Sequence, residues 1–150
     1  MRVVIQRVSR AAVRVDDKVA GSINQGLCVL LGVEDADTPE DADWLAAKIA
    51  KLRIFNDVEG KMNADLAAVQ GHLLVISQFT LHAKTKKGTR PSFIRAAHPE
   101  HAEKLYQHFV MACASATGTT VETGEFGAHM AVDLVNDGPV TLWIDTKHKE

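Results

Sequence analysis

Cysteine is scarce in this chain of 150 residues: there are only two. Cys28 sits inside the apolar run from Leu27 to Val33 and Cys113 inside a helical pattern, so both read as small core residues, neither a disulfide pair nor metal ligands. Long hydrophobic runs are also missing, and none approaches the length that spans a membrane. The start, Met1-Arg2-Val3-Val4-Ile5, enters strand-like alternation with no charged leader and apolar stretch, so a soluble, cytoplasmic protein with no membrane partner is expected. The chain lacks a strong charge of either sign, and a formal net charge of -2 argues against binding nucleic acid over its whole surface. Seven histidines are present, but the nearest pair, His98 and His101, has no third ligand nearby; no metal and no cofactor are expected. Repeats and low-complexity segments are absent as well.

What is present is enough apolar residue, 46% of the chain, to build one core, and the expectation is a single domain over residues 1–150. Val3, Ile5, Val13 and Val15 alternate with polar positions, so residues 2–8 and 11–15 read as a strand pair, with Asp16-Asp17-Lys18 as a turn. The run after Gly26 is apolar on both faces and reads as a central strand. Thr38-Pro39-Glu40-Asp41 has the chemistry of a helix start: an N-cap threonine, proline at the first position and acids in the first turn. Ala42, Leu45, Ala46, Ile49 and Leu52 form its apolar stripe. A second helix opens at Pro99-Glu100, carries Ala102, Leu105, Phe109, Ala112, Cys113 and Ala116 at helical spacing, and stops at Gly118. Residues 73–80, 119–123, 128–135 and 139–145 read as strands. The fold class is α+β, with helices covering one side of a mostly antiparallel sheet assembly.

Two short segments fit poorly with ordinary strands: Ser77-Gln78-Phe79-Thr80-Leu81 and Asn136-Asp137-Gly138-Pro139-Val140-Thr141. Each sets polar groups or an unusual backbone among residues that favour a sheet, which marks a site. Strand alternation would place Thr80 beside His82, inviting a nucleophile and base, but a triad also needs an orienting acid and an oxyanion hole that this spacing does not supply. A partly exposed histidine at a strand end is the plainer reading of His82. Asp137 and Gly138 favour a turn and Pro139 fixes its own dihedral, which an ordinary hairpin also explains. Lys84, Lys86, Lys87, Arg90 and Arg95 follow with no acid between them; such a run is either a solvated loop or a phosphate-contacting patch. In Gly124-Glu125-Phe126-Gly127-Ala128 with Met130, the glycines allow close backbone approach and Phe126 can stack on a base or fill the core.

These segments, together with Gln6-Arg7-Val8, Leu52-Arg53-Ile54-Phe55, Gly60-Lys61-Met62-Asn63 and the stretch from Lys87 to Phe93, resemble the D-aminoacyl-tRNA deacylases of the D-tyrosyl-tRNA deacylase family. The resemblance runs nearly end to end. It implies a three-layer β/β/α domain that forms a homodimer, and an esterase that frees D-amino acids from the 3′ end of aminoacylated tRNA. It further implies that Ser77, Gln78, Phe79 and Thr80 form the catalytic segment, with backbone N–H groups around Phe79 and Thr80 as oxyanion donors and a ribose hydroxyl of the RNA assisting the chemistry. Gly138 and Pro139, cis in the family, would enter the partner's site to face the substrate amino group and exclude L side chains, leaving glycyl-tRNA acceptable. Phe126, Gly127 and Met130 would help to make the adenosine pocket, and Lys84, Lys86, Lys87 and Arg90 would contact RNA. His82 departs from the family, which commonly carries an aromatic such as Tyr there. Two rival readings remain at this level: a serine or threonine hydrolase of small esters, and an RNA-binding module without catalysis.

Overall fold

The computed structural model describes all 150 residues. Eight strands and two helices follow in the order β1 (Arg2–Val15), β2 (Lys18–Ile23), β3 (Gly26–Gly32), α1 (Pro39–Ala50), β4 (Phe55–Asn56), β5 (Met62–Ala64), β6 (His72–Ser77), α2 (Pro99–Thr117), β7 (Val121–Thr123) and β8 (Ala131–Asp145), with a 3₁₀ turn at Phe79–His82 after β6. The expected pair at 2–8 and 11–15 is instead one strand, whose hairpin partner is β2. Asp16 and Asp17 both take positive φ, 48° and 62°, the handedness that a tight two-residue hairpin turn demands. Residues 131–135 and 139–145 likewise merge into β8, while 128–130, expected to begin the first of these strands, lie in the connection before it.

Six strands form one sheet in the order β2-β1-β3-β6-β7, with β8 on the other side of β1. The pairings of β1 with β2, β3 and β8 are antiparallel, as expected, but β3–β6 and β6–β7 are parallel. Chain order gives the reason: α1 lies between β3 and β6, and α2 between β6 and β7, and a helical crossover returns the chain in the same direction. The sheet is therefore mixed.

Alternation along the central strands divides the interior in two. Leu27, Val29, Leu31, Leu73 and Val75 face the helices and pack with Leu45, Ile49, Leu105 and Phe109, all nearly or fully buried. Cys28, Leu74 and Ile76 face the opposite way and meet Val8, Ala11, Val13 and Ile23. The second half of β1 can reach that far face because its register against β8 shifts on both sides of Val8, and such irregularities bend a strand. Each large side chain so buried contributes roughly 1.5–3 kcal/mol.

Helix α1 begins as its sequence requires: Thr38 caps it and the Asp41 carboxylate accepts from the Thr38 N–H at 2.9 Å in a reciprocal capping box. Asp41 also takes Lys147 Nζ at 2.6 Å, tying the helix start to the segment after β8. Leu52 lies past the helix end, where the stripe has run out. Helix α2 stops at Gly118, whose φ of 69° is the left-handed C-cap.

Burial pushes the Asp41 carboxyl up, but Lys147, the Thr38 N–H and Thr146 outweigh it and hold its pKa at about 2, below the ordinary 3.8. A depressed carboxylate contributes stability that is present above its unfolded pKa and is lost as pH falls through the folded value. Asp41→Asn should therefore cost about 2 kcal/mol at neutral pH and flatten the fall in stability between pH 4 and 2, measured by urea denaturation across that range.

Candidate active site

Parallel strands with helical crossovers leave a crevice beyond their carboxyl ends, and a mainly apolar cavity lies there. It has a volume of about 480 Å³. Leu31 at the end of β3 and Ile76 and Ser77 at the end of β6 form one side, and Phe126 to Met130, between β7 and β8, form another. The lining is mainly apolar, with Ser77 and Gln78 among its few polar residues, the composition of a site that binds a flat organic group and orients it by a few contacts. Ser77, Gln78, Phe79, Phe126, Gly127 and Met130, all singled out from the sequence, meet here.

The strand expected to run to residue 80 ends at Ser77. Gln78 N still donates to Leu31 O at 2.7 Å, after which the chain coils into the 3₁₀ turn, Leu81 N donating to Gln78 O at 3.2 Å and Ala83 N to Thr80 O at 3.1 Å. The first N–H groups of such a turn have no acceptor behind them, and those of Phe79 and Thr80 donate to no protein atom. Gln78 Nε2 donates to Thr80 Oγ1, fixing both side chains. Two unpaired backbone donors thus stand next to each other at a residue that lines the cavity.

The turn also removes Thr80 from His82. His82 is fully buried, contrary to the exposed strand-end position that alternation suggests, and neither ring nitrogen has a hydrogen-bond partner. Its Nδ1 is 4.0 Å from the Glu34 carboxylate, and burial lowers its pKa, which keeps the imidazole neutral. It packs against Gly32, where an added Cβ would lie 3.0 Å from its Cδ2. A nucleophile and base formed by Thr80 and His82 is excluded by this geometry.

Around the rest of the cavity, Gly124 does what its lack of a side chain permits: a Cβ there would fall 2.5 Å from Met130 Sδ. Phe126 rests against Tyr106, ring centroids 5.8 Å apart, and Tyr106 donates to Val75 O at 2.8 Å. Burial raises the Tyr106 pKa to about 12, so its hydroxyl stays a donor. Tyr106 was missed by the sequence reading, although it is the chain's single tyrosine and lies on the face of α2 that also carries Pro99 and Ala102 into the lining, at i, i+3 and i+7.

Gly138 and Pro139 do not line this cavity. Gln6 pairs with Thr141 and Val8 with Asn136, so the single residue Arg7 on β1 faces the four residues 137–140 on β8, which bulge out of the ladder. The peptide bond between Gly138 and Pro139 is cis. Arg7, following Val3 and Ile5 in the buried phase of β1, anchors the base of the bulge: Nε donates to Asp137 O at 2.9 Å and Nη1 to Ile54 O at 2.8 Å. A Cβ at Gly138, whose φ is +129°, would come within 2.7 Å of Arg7 Nη2, so a side chain there would have to displace the guanidinium. On the far side of the bulge Asn136 Nδ2 donates to Gln6 Oε1 at 2.8 Å and its Oδ1 accepts from Val140 N at 3.2 Å.

Lys84, Lys86, Lys87 and Arg90 are exposed and form no ion pair, whereas Arg95 lies 3.6 Å from Glu34 and is partly neutralised. No group of three potential metal ligands is found. No helix is long and apolar enough to cross a membrane.

A family model described as D-Tyr-tRNA(Tyr) deacylase matches residues 4–145. The chain is 56% identical, over the full length of both, to a D-aminoacyl-tRNA deacylase of Akkermansia muciniphila. Among solved structures it superposes on the c-Myc DNA unwinding element binding protein with a TM-score of 0.90 and 37% identity, covering 97% of this chain and 98% of the other. A structure titled as that of a probable eukaryotic D-amino acid tRNA deacylase shares the fold at TM-score 0.82 and 20% identity, with 95% and 97% covered.

Removing the Arg7 side chain strands two carbonyl groups in a partly buried place. Arg7→Ala should cost about 2–3 kcal/mol in urea denaturation, and Arg7→Lys should recover little of it because an ammonium cannot serve both carbonyls as the guanidinium fork does.

Proposed function

We propose, for a chain that belongs to the D-Tyr-tRNA(Tyr) deacylase family and is a D-aminoacyl-tRNA deacylase, a division of labour in which the protein positions and the RNA assists. The observation that carries the proposal is the pair of unpaired N–H groups at Phe79 and Thr80 beside a cavity large enough for a nucleoside. The terminal adenosine sits among Phe126, Gly127 and Met130. Its ester carbonyl is directed at the Phe79 and Thr80 N–H groups, which stabilise the oxyanion formed as water attacks. Ser77 and Gln78 hold that turn in place, and the adjacent ribose hydroxyl activates or positions the water. A protein nucleophile is unnecessary, in keeping with a Thr80 hydroxyl engaged by Gln78 and not by His82.

Selectivity for the D-ester is assigned to Gly138 and Pro139 of a second subunit. In a homodimer the bulge of one protomer reaches the cavity of the other, its carbonyl groups facing the substrate amino group and its backbone occupying the space an L side chain needs. Two features support this assembly: β8 is a sheet edge with nothing paired on its outer side, and Val132, Val135 and Trp143 along it are 39%, 40% and 54% exposed. Glycine has no side chain to exclude, so glycyl-tRNA is a substrate too. Lys84, Lys86, Lys87 and Arg90 contact phosphates of the acceptor end, and the enzyme works in the cytoplasm, where charged tRNA is found.

Purified protein should release amino acid from D-tyrosyl-tRNA and leave L-tyrosyl-tRNA intact; hydrolysis of both would defeat the exclusion argument. Thr80→Ala should stay within about tenfold of the parent rate, short of the 10²–10⁴-fold loss typical of removing an acid–base group, while a D-tyrosyl-tRNA lacking the neighbouring ribose hydroxyl should be inert. Replacing Lys86 and Lys87 together by alanine should weaken tRNA binding and lower its salt slope by about 1–2, with the preference for the D-ester unchanged.

A further inference from the structure

At the cavity's edge toward the cationic loop, two phenyl rings meet, that of Phe79, whose backbone N–H alone has been given a role, and that of Phe93. Phe79 is 57% exposed and Phe93 37% exposed, their ring centroids 5.2 Å apart at an interplanar angle of 75°. Two phenyl rings that contact each other while remaining in water form an apolar patch. The placement is fixed by backbone. Lys84 N donates to Ser92 O at 2.8 Å and Ser92 N to Lys84 O at 3.0 Å, closing residues 85–91 into a loop whose exit is Phe93. Ala96 N donates to Phe93 O at 3.0 Å and Ala97 N to Val33 O at 2.9 Å, joining Phe93 to residues of the cavity wall. The surface therefore runs from cavity to Phe79, then to Phe93, then to Lys84, Lys86, Lys87 and Arg90.

We propose that Phe79 and Phe93 form a stacking platform for the nucleobase preceding the terminal adenosine. The inference rests on the RNA-ester reading above and adds a second nucleotide subsite to it. A single strand whose last nucleoside fills the cavity can leave past Phe79, which lines the cavity and is exposed, toward Lys84, Lys86, Lys87 and Arg90, whose charges draw its phosphates. Aromatic faces beside a positively charged groove are the general solution for holding single-stranded nucleic acid, because every base has a face to stack. The same cations disfavour a second copy of the chain as the occupant: a two-fold axis through this patch would set one cationic loop against its twin.

The test uses three D-phenylalanyl esters, of adenosine, of CpCpA, and of CpCpA abasic at the penultimate position, with the parent protein, Phe93→Leu and Phe93→Tyr. The parent should show a KM for the CpCpA ester about tenfold below that for its abasic counterpart. Phe93→Leu should erase that gap, Phe93→Tyr should keep it, and all three proteins should hydrolyse the adenosine ester alike. A gap that survives in Phe93→Leu, an equal loss on the adenosine ester, or a changed sedimentation mass in Phe93→Leu, which would make the patch an interface between copies, overturns the platform. A parent inert on every D-ester would instead overturn the enzymatic reading on which the platform rests.

Discussion

The ladder between Arg2–Val15 and Ala131–Asp145 runs almost the full length of both strands and is interrupted where Arg7 is placed. Alternation forces that side chain inward after Val3 and Ile5, and a guanidinium cannot lose its proton to suit a dry interior. It has to be met by acceptors. Ile54, just before β4, supplies one carbonyl and Asp137 the other, the latter from the four residues over which β8 leaves the ladder. One buried cation on β1 thus accounts for the position and shape of the Gly138–Pro139 bulge, while the register shifts around it bend β1 so that its second half closes the far face of the sheet. Core and bulge share a cause.

The cavity depends on a different consequence of topology. Crossovers through α1 and α2 make β3, β6 and β7 parallel, and parallel strands present their carboxyl ends together. At β6 that end carries Ser77 and Gln78, and the chain then coils so tightly that two N–H groups are left without acceptors. In the middle of a sheet such groups would be a defect; beside an apolar cavity they are free to bind a developing negative charge.

Much of this could be read in the residues. Thr38-Pro39-Glu40-Asp41 specifies a helix start by local chemistry alone, and Gly118 a helix stop, so both helices lie where periodicity puts them. The odd composition of Ser77 to Leu81 and of Asn136 to Thr141 marked the two segments that leave regular structure. Errors arose where the outcome depends on distant partners. Nothing local tells that residues 2–15 stay one strand, since the bend is set by pairing to β8. His82 looked like half of an exposed alternating face because the strand was carried past Ser77, whereas the 3₁₀ turn rotates it into the interior against Gly32. Tyr106 lay hidden among ordinary core positions of α2, and only the fold shows which face of that helix meets the cavity.

The separation of β1 and β8 along the chain bears on how the molecule comes into being. Their contacts join residues at opposite ends of the sequence, the most non-local in the structure, and loop-closure entropy makes such contacts late to form. Every cavity-lining residue precedes position 133, and most of the elements that support the cavity are made before the last strand is synthesised. Most of the cavity wall therefore belongs to elements that precede β8, and only Val132 waits, like the Gly138–Pro139 bulge, on the pairing of β8 with β1. Distance along the chain, as well as final shape, separates most of the cavity wall from the bulge that Arg7 secures.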